Sequence, residues 1–117
     1  STLQVALVTG SARAEVMPIL AGYQLLDYFE VIVTKDDVTQ PKPHPEPYLS
    51  ALKQLGLAAQ FGVAIEDTCT GLTSAKGAGL LAIAVPNHHS QHQDLSLADH
   101  TCTNLMQAWQ RIEMLQS

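Results

Sequence analysis

The chain has 117 residues, of which 46% are hydrophobic and 15% are charged, with a formal net charge of −5 at pH 7. These values fit one folded domain over residues 1–117 and exclude a disordered chain, and the six scattered Lys and Arg residues argue against a nucleic-acid partner. No apolar run reaches the roughly 20 residues of a membrane span, no signal-peptide pattern is visible and the cysteines form no CxxC pair, so we expect a cytoplasmic protein without a membrane partner.

The first half of the chain alternates apolar runs with a helical pattern. Leu3–Val8 is typical of a buried strand, Met17–Tyr28 places apolar residues on one helical face, and Val31–Val33 is a short β-branched strand. Residues 39–48 read TQPKPHPEPY. Alternating prolines exclude a strand or a helix interior there and predict an extended loop, with Pro47 in the first turn of the next helix.

The second half repeats this alternation. The predicted elements are a helix over Tyr48–Leu55, strands over Val63–Ile65 and Leu81–Val85, a helix between them that ends near Gly77 and Gly79, a short strand over Ala98–Cys102 and a helix over Leu105–Leu115. The sequence contains no internal repeat and no domain linker. The alternation predicts an α/β fold, with a mainly parallel sheet covered by helices on both faces.

Polar residues follow the first predicted strand as Thr9-Gly10-Ser11. Because a helix comes next, their hydroxyl and N–H groups could hold an anion at its N-terminus. Ser11 could equally serve only as the cap of that helix. The residues of this segment leave both interpretations open.

Two further segments carry charge near predicted strand ends. Glu66 and Asp67 close a buried strand, where open α/β sheets place their ligands, and adjacent acids there suggest Mg²⁺. Acids at this position also favour the dipole of the following helix. Lys42 lies among prolines that stiffen its backbone, so it is either a fixed charge for a phosphate group or a solvated surface lysine.

Two other patterns predict no functional site. His88, His89 and His92 lie in a Ser- and Gln-rich stretch without helical i, i+4 spacing, so we expect an exposed loop rather than a metal site. Met106, Trp109 and Ile112 fall at helical spacing, which predicts core packing.

Taken in order, VALVTGSAR, YFEVIVTKDDVTQPKPHPEPYLSAL, GVAIEDTCTGLTSAKGAGLLAIAVP and LSLADHTCTNLMQAW resemble the haloacid dehalogenase (HAD) superfamily. The similarity covers almost the whole chain and is greatest to the phosphoglycolate phosphatase and β-phosphoglucomutase branch. It implies a three-layer Rossmann-like core and Mg²⁺-dependent hydrolysis or transfer of a small phosphomonoester.

The resemblance also implies roles for individual residues. Thr9, with the backbone N–H groups around Gly10 and Ser11, would bind the phosphoryl oxygens. Lys42 would neutralise the developing charge and orient the nucleophile. Asp67 would be the main Mg²⁺ ligand, and Glu66 would ligate the ion or lie just behind it. Such a division suits phosphoryl transfer, which depends on positioning and electrostatic stabilisation.

The chain departs from the family in two respects. No DxDGT motif precedes Thr9, and no Asp-x-Asp occurs elsewhere; the cap domain that selects the substrate in the family is also missing. In the family the motif supplies the nucleophilic carboxylate, the proton-transfer acid and a metal ligand. We therefore expect weak Mg²⁺ binding and no turnover by this chain alone, since an aspartyl-phosphate requires the aspartate.

The strand that carries DxDGT in the family lies between the strands that match Leu3–Val8 and Val63–Ile65. Without it, these two strands either pair directly or leave exposed edges that another segment or chain fills. The alternative function is therefore a truncated, non-catalytic module that forms a homodimer through its strand edges or complements a partner.

Two rival families fit less well. VTGSARAEV is similar to the TGxxxGxG turn of short-chain dehydrogenases, but Ala14 and Val16 stand where the later glycines would allow close approach to a pyrophosphate. A phospho-receiver domain would need an acidic pair after the first strand, where this chain has Thr-Gly-Ser.

Overall fold

The computed structural model describes residues 3–116, with residue 116 described by its backbone alone. The strands are β1 (Ala6–Val8), β2 (Val31–Val33), β3 (Val63–Glu66), β4 (Leu81–Ala84) and β5 (His100–Thr101), and the helices are α1 (Arg13–Gly22), α2 (Glu46–Leu55), α3 (Cys69–Gly77) and α4 (Leu105–Gln116). Short 3-10 turns occupy Leu26–Tyr28, Lys35–Asp37 and Ala59–Phe61. Across this described part, no helix is long and apolar enough to cross a membrane.

Every strand pairing in the described residues is parallel, which confirms the predicted α/β class. β1 pairs with β2, and β4 lies between β3 and β5. The strands nevertheless form two separate sheets, because β1 and β3 are not hydrogen-bonded to each other. Direct closure of the sheet, one of the two outcomes expected from the sequence, is therefore not what the described structure adopts.

Local sequence signals explain where α2 and α3 begin and end. Pro47 lies in the first turn of α2, as predicted, and Gly56 ends the helix in the left-handed region at φ 71°. Thr68 caps α3, since its Oγ1 accepts from the N–H of Gly71 at 3.1 Å. Residues 38–45 contain neither helix nor strand, as the prolines predicted.

The first helix differs from its prediction. It begins at Arg13 and ends at Gly22, and its cap is Ala12, so Ser11 does not cap it. The chain then leaves the helix through Gln24, which has a φ of 59°. Tyr23 is 75% exposed, so the apolar pattern after Gly22 does not mark a buried face.

The core consists of small and branched side chains between the sheets and helices. Leu72 and Ala75 of α3 pack against Ala82 and Ala84 of β4, all without solvent exposure. Ile83, on the opposite face of β4, packs against residues of α4 that include Ile112. The predicted core positions of Met106 and Trp109 are wrong, because these side chains are 66% and 44% exposed.

Asp37 connects α1 to the end of β2. Its Oδ2 accepts from the Thr34 N–H at 2.7 Å, from the Thr34 hydroxyl at 2.8 Å and from Arg13 Nη2 at 2.7 Å. The backbone hydrogen bond from Thr34, followed by the one from its hydroxyl, holds the pKa of Asp37 below its ordinary value of 3.8. A lowered carboxyl pKa adds stability that is present above the ordinary pKa and is lost as the pH falls through the folded-state value.

We therefore expect Asp37→Asn to lower the free energy of unfolding by about 1 kcal/mol at pH 7, a value reduced for partial solvent exposure. The difference between the two proteins should shrink below about pH 4, where the unfolded carboxylate binds a proton. Urea unfolding at several pH values measures both effects. A difference that stayed constant down to pH 3 would contradict this assignment of the stability to the ionised carboxylate.

Candidate functional site

Lys42 joins the carboxyl ends of the two sheets. Its Nζ donates to the backbone carbonyl of Val8, the last residue of β1, at 3.0 Å, and to Oε2 of Glu66, the last residue of β3, at 2.6 Å. The lysine side chain is only 15% exposed. Glu66 and Val8, which lie 24 and 34 positions from Lys42 in sequence, therefore both bind its ammonium group.

Glu66 points into the protein, where it has two hydrogen-bond donors. Besides Lys42, its Oε2 accepts a short hydrogen bond from the Tyr48 hydroxyl. Burial, and then the charge of Glu66, raises the pKa of Tyr48, so this hydroxyl stays protonated and donates. The Lys42 ammonium also lies 5.2 Å from the centre of the Tyr48 ring. A charged pair buried to this degree needs such additional partners.

Asp67 points the other way, into solvent. Its Oδ2 accepts from Nδ2 of Asn87 at 2.8 Å. The Oδ1 of Asn87 accepts from the N–H groups of His89 and Ser90 at 2.7 and 2.9 Å, and this fixes the turn after β4. A cavity of about 310 Å³ lies beside Asp67 and Asn87. The adjacent acids thus have different environments, Glu66 inside and Asp67 at the surface.

Thr9–Ser11 form a turn at the end of β1. The Thr9 N–H donates to the Val33 carbonyl at 2.9 Å, and Thr9 Oγ1 accepts from the Ser11 N–H at 3.1 Å. The Thr9 hydroxyl keeps its own hydrogen to donate. Gly10 is exposed, and a Cβ built there would meet nothing within 4 Å. Thr9 directly follows Val8, whose carbonyl binds Lys42, so the turn lies at the same edge as Lys42.

The oxygen ligands available at this edge are few. Among the described residues, no group of three or more His, Cys, Asp and Glu side chains could hold a metal ion. Asp67 offers one exposed carboxylate, and Mg²⁺ is commonly bound by one or two carboxylates together with substrate phosphate and water. These residues therefore fit Mg²⁺ only as the source of one carboxylate ligand, and the other ligands would have to be phosphate oxygens and water. His88, His89 and His92 are exposed loop residues, as predicted.

Sequence reasoning missed two residues of this region. Tyr48 was predicted only as the start of a helix, although it lies six positions after Lys42 beyond stiff prolines. Asn87 was not considered at all. Its signal was its position shortly after β4, because parallel strands end at the same edge of a sheet as their neighbours.

Comparison with known proteins relates this geometry to a family. Residues 1–85 match the profile of the haloacid dehalogenase-like hydrolases. The chain is 39% identical over 111 residues to protein CbbY of Rhodobacter capsulatus, a match over 92% of this chain and 49% of that protein. It is 29% identical over 96 residues to phosphoglycolate phosphatase of Escherichia coli strain K12, a match over 82% of this chain and 38% of the enzyme.

The fold is similar to solved structures as well. CbbY from Rhodobacter sphaeroides, solved in complex with phosphate, superposes with a TM-score of 0.80 at 32% identity, over 86% of this chain and 46% of the other. The chain thus spans half or less of the length of these relatives. On its profile match, its sequence similarity and its parallel α/β architecture, the chain belongs to the haloacid dehalogenase-like hydrolase family.

Proposed function

We propose that this chain supplies the phosphate-binding and metal-binding part of a phosphatase that acts on a small phosphomonoester. The observation that carries the proposal is the position of Lys42 between the Val8 carbonyl and the Glu66 carboxylate. This fixes a cation at the ends of β1 and β3, which Thr9 and Asp67 directly follow. The similarity to CbbY, which was solved with phosphate, supports the same interpretation.

Each residue has a distinct proposed role. The Thr9 hydroxyl and the backbone N–H of exposed Gly10 donate to phosphoryl oxygens, with Ser11 completing the turn. Lys42 adds a positive charge close to the phosphate, and a fixed charge in a partly buried site interacts more strongly than one in water. Glu66 and Tyr48 hold the ammonium in place.

Asp67 is the proposed Mg²⁺ ligand, because its carboxylate is exposed and Asn87 orients it. Bound Mg²⁺ would supply positive charge that neutralises phosphoryl oxygens. Glu66 lies behind Asp67 in this proposal, since its Oε2 already accepts from Lys42 and Tyr48. We expect weak binding from one available carboxylate.

Asp36 and Asp37, the other adjacent acids of the sequence, do not replace the nucleophilic aspartate of the DxDGT motif. Asp36 accepts from the backbone N–H of Arg13 at 2.8 Å, and Asp37 binds Thr34 and the Arg13 guanidinium. Both carboxylates thus have structural hydrogen-bond partners. We propose that the chain alone carries out no covalent phosphoryl transfer.

Two measurements test this proposal. Titration with inorganic phosphate in the presence of Mg²⁺, followed by amide NMR, should shift the signals of Thr9, Gly10 and Lys42, and Asp67→Asn should weaken the response several-fold. The same protein with Mg²⁺ and an aryl phosphate should show no turnover. Unmoved Gly10 and Lys42 signals would contradict the phosphate site, whereas Mg²⁺-dependent turnover that Asp67→Asn abolishes would contradict the predicted inactivity.

A further inference from the structure

The loop that carries Lys42 is held by side chains rather than by a regular backbone hydrogen-bond pattern. Residues 38–45 include three prolines, which have no N–H to donate. Prolines fix φ, but they do not fix where the loop lies on the protein. Lys42 reaches its partners through a flexible four-carbon side chain. Its ammonium group stays between the Val8 carbonyl and Glu66 only while the backbone of the loop remains close to them.

Glu46, in the first turn of α2, fixes the residues before Lys42. Its Oε2 accepts from the N–H of Thr39 at 2.8 Å, and its Oε1 accepts from the N–H of Gln40 at 2.9 Å. Hydrogen bonds to an ionised acceptor are roughly twice as strong as neutral ones. The bond from Thr39, followed by the one from Gln40, holds the pKa of Glu46 below its ordinary value of 4.5. The carboxylate is therefore ionised at neutral pH, where it can only accept hydrogen bonds.

Helix α3 fixes the residues after Lys42. The hydroxyl of Ser74 donates to the His44 carbonyl at 2.7 Å, and Ser74 has no solvent exposure. Three residues further along α3, a Cβ at Gly77 would lie 3.3 Å from Pro45. The end of the loop therefore packs directly against the same face of this helix.

A turn joins these two attachments. The His44 N–H donates to the Pro41 carbonyl at 3.0 Å, so Lys42 lies inside a closed turn. The His44 Nδ1 accepts from the N–H of Glu46 at 2.9 Å, which ties the end of the turn to the start of α2. Any displacement of the Lys42 backbone would therefore strain hydrogen bonds on both sides of it.

A simple helix-dipole role does not account for the contacts of Glu46. Acids in the first turn of a helix favour its dipole wherever their side chains point. Glu15, in the first turn of α1, accepts only from the nearby N–H of Ala12, at 3.2 Å. Glu46 instead binds backbone groups six and seven positions earlier in the chain. Its carboxylate is thus directed to the loop rather than to its own helix.

We propose that Glu46 and Ser74 are positioning residues, which keep the Lys42 ammonium at the carboxyl ends of β1 and β3 by fixing the loop on either side of it. The ammonium itself binds Val8 and Glu66, so both positioning residues act through the backbone. This role deepens the proposed function, on which it rests where Lys42 acts on a phosphate group. Loss of either attachment should let the ammonium move into solvent.

The first test examines the loop without phosphate or metal. In the unchanged protein, the amides of Thr39 and Gln40 should be protected from hydrogen exchange, and the Lys42 ammonium should exchange slowly enough to give a proton–nitrogen NMR signal. Glu46→Gln replaces one acceptor oxygen by an NH₂ group. It should accelerate exchange at both amides by at least about ten-fold and make the Lys42 ammonium exchange several-fold faster. Ser74→Ala should also accelerate ammonium exchange.

The matched control is Glu15→Gln, which removes the charge of another first-turn glutamate that accepts a backbone N–H. It should leave the Lys42 ammonium signal unchanged. Urea unfolding identifies conditions in which each variant is folded, so that exchange reports on the loop alone. If Glu46→Gln does not fold, Ser74→Ala decides. Freely exchanging Thr39 and Gln40 amides in the unchanged protein, or unaltered ammonium exchange in the folded variants, would overturn the proposal.

Titration with inorganic phosphate then separates this role from the phosphate site itself. Glu46→Gln should weaken phosphate binding several-fold, but it should add little in a Lys42→Met background, because its effect passes through Lys42. An equal loss in both backgrounds would overturn the proposal, since Glu46 would then act by another route. Faster ammonium exchange with unchanged phosphate affinity would support the positioning of Lys42 and contradict its proposed role in binding phosphate.

Discussion

Replacing Lys42 with Met should lower the free energy of unfolding by about 3 kcal/mol, because the Glu66 carboxylate then stays buried without its cation. The ion pair is short, at 2.6 Å, and its side chains are 15% and 7% exposed. Removing one partner of a buried pair costs about 3–5 kcal/mol, and the lower value applies here because Tyr48 still donates to Glu66. Met fills much of the space that the aliphatic part of Lys42 occupied, which limits the loss of packing.

A double-mutant cycle isolates this pairing from other effects. Urea unfolding of Lys42→Met, Glu66→Gln and the double variant should give a double-variant loss clearly smaller than the sum of the single losses. Lys53→Met on α2 is the matched control, because Lys53 is exposed, and its effect should stay within about 0.5 kcal/mol. Equal losses for the Lys42 and Lys53 variants would show that the pair contributes nothing to stability.

The sequence predicted where strands follow one another along the chain, because apolar, β-branched runs are short and bounded by Gly, Pro and polar residues. Val31–Val33 was predicted with the bounds that the structure has, and β3 extends only one residue further than expected. The first helix was placed too late, since its apolar periodicity continues into a 3-10 turn beyond Gln24. Periodicity cannot detect a break that one left-handed residue introduces.

From the residues alone, the site was predicted as separate pieces, and the resemblance to the family grouped them. Lys42 and Glu66 were both singled out, but their pairing joins residues 24 positions apart and depends on how the proline loop crosses the sheet edges. The residues alone did not distinguish Glu66 from Asp67, and only the resemblance to the family gave them different roles. Only the alternation of side chains along β3 and the contact with α3 direct the first inward and the second outward.

The exposure of Trp109 has a similar origin. Its helical spacing with Ile112 correctly indicated an apolar face, and Ile112 is indeed nearly buried at 9% exposure. Trp109 itself lines a groove between the two sheets, whose walls include residues 3–8 and 62–65. Whether that side chain is covered depends on what lies between β1 and β3, and the pattern of α4 alone contains no information about this.

Gly71→Ala should destabilise the protein by about 2 kcal/mol, against the usual benefit of alanine in a helix. Gly71 lies in α3, where alanine adds up to about 1 kcal/mol of helix propensity. A Cβ at this position, however, would lie 1.8 Å from Glu66 Oε1. The carboxylate cannot simply swing away, because Lys42 and Tyr48 hold its other oxygen and its surroundings are closed. Displacing it strains or breaks the buried pair, which costs about 3 kcal/mol or more.

Two further variants decide between this contact and a general intolerance of substitution. Gly22→Ala, at the end of α1, is the matched control, since a Cβ there would meet nothing within 4 Å. It should be neutral or slightly stabilising. In a Glu66→Ala background the obstacle is gone, so adding Gly71→Ala should change sign and stabilise by up to about 1 kcal/mol. A loss of the same size in both backgrounds, measured by urea unfolding, would mean that Gly71 is required by the backbone of α3 and not by the carboxylate that packs against it.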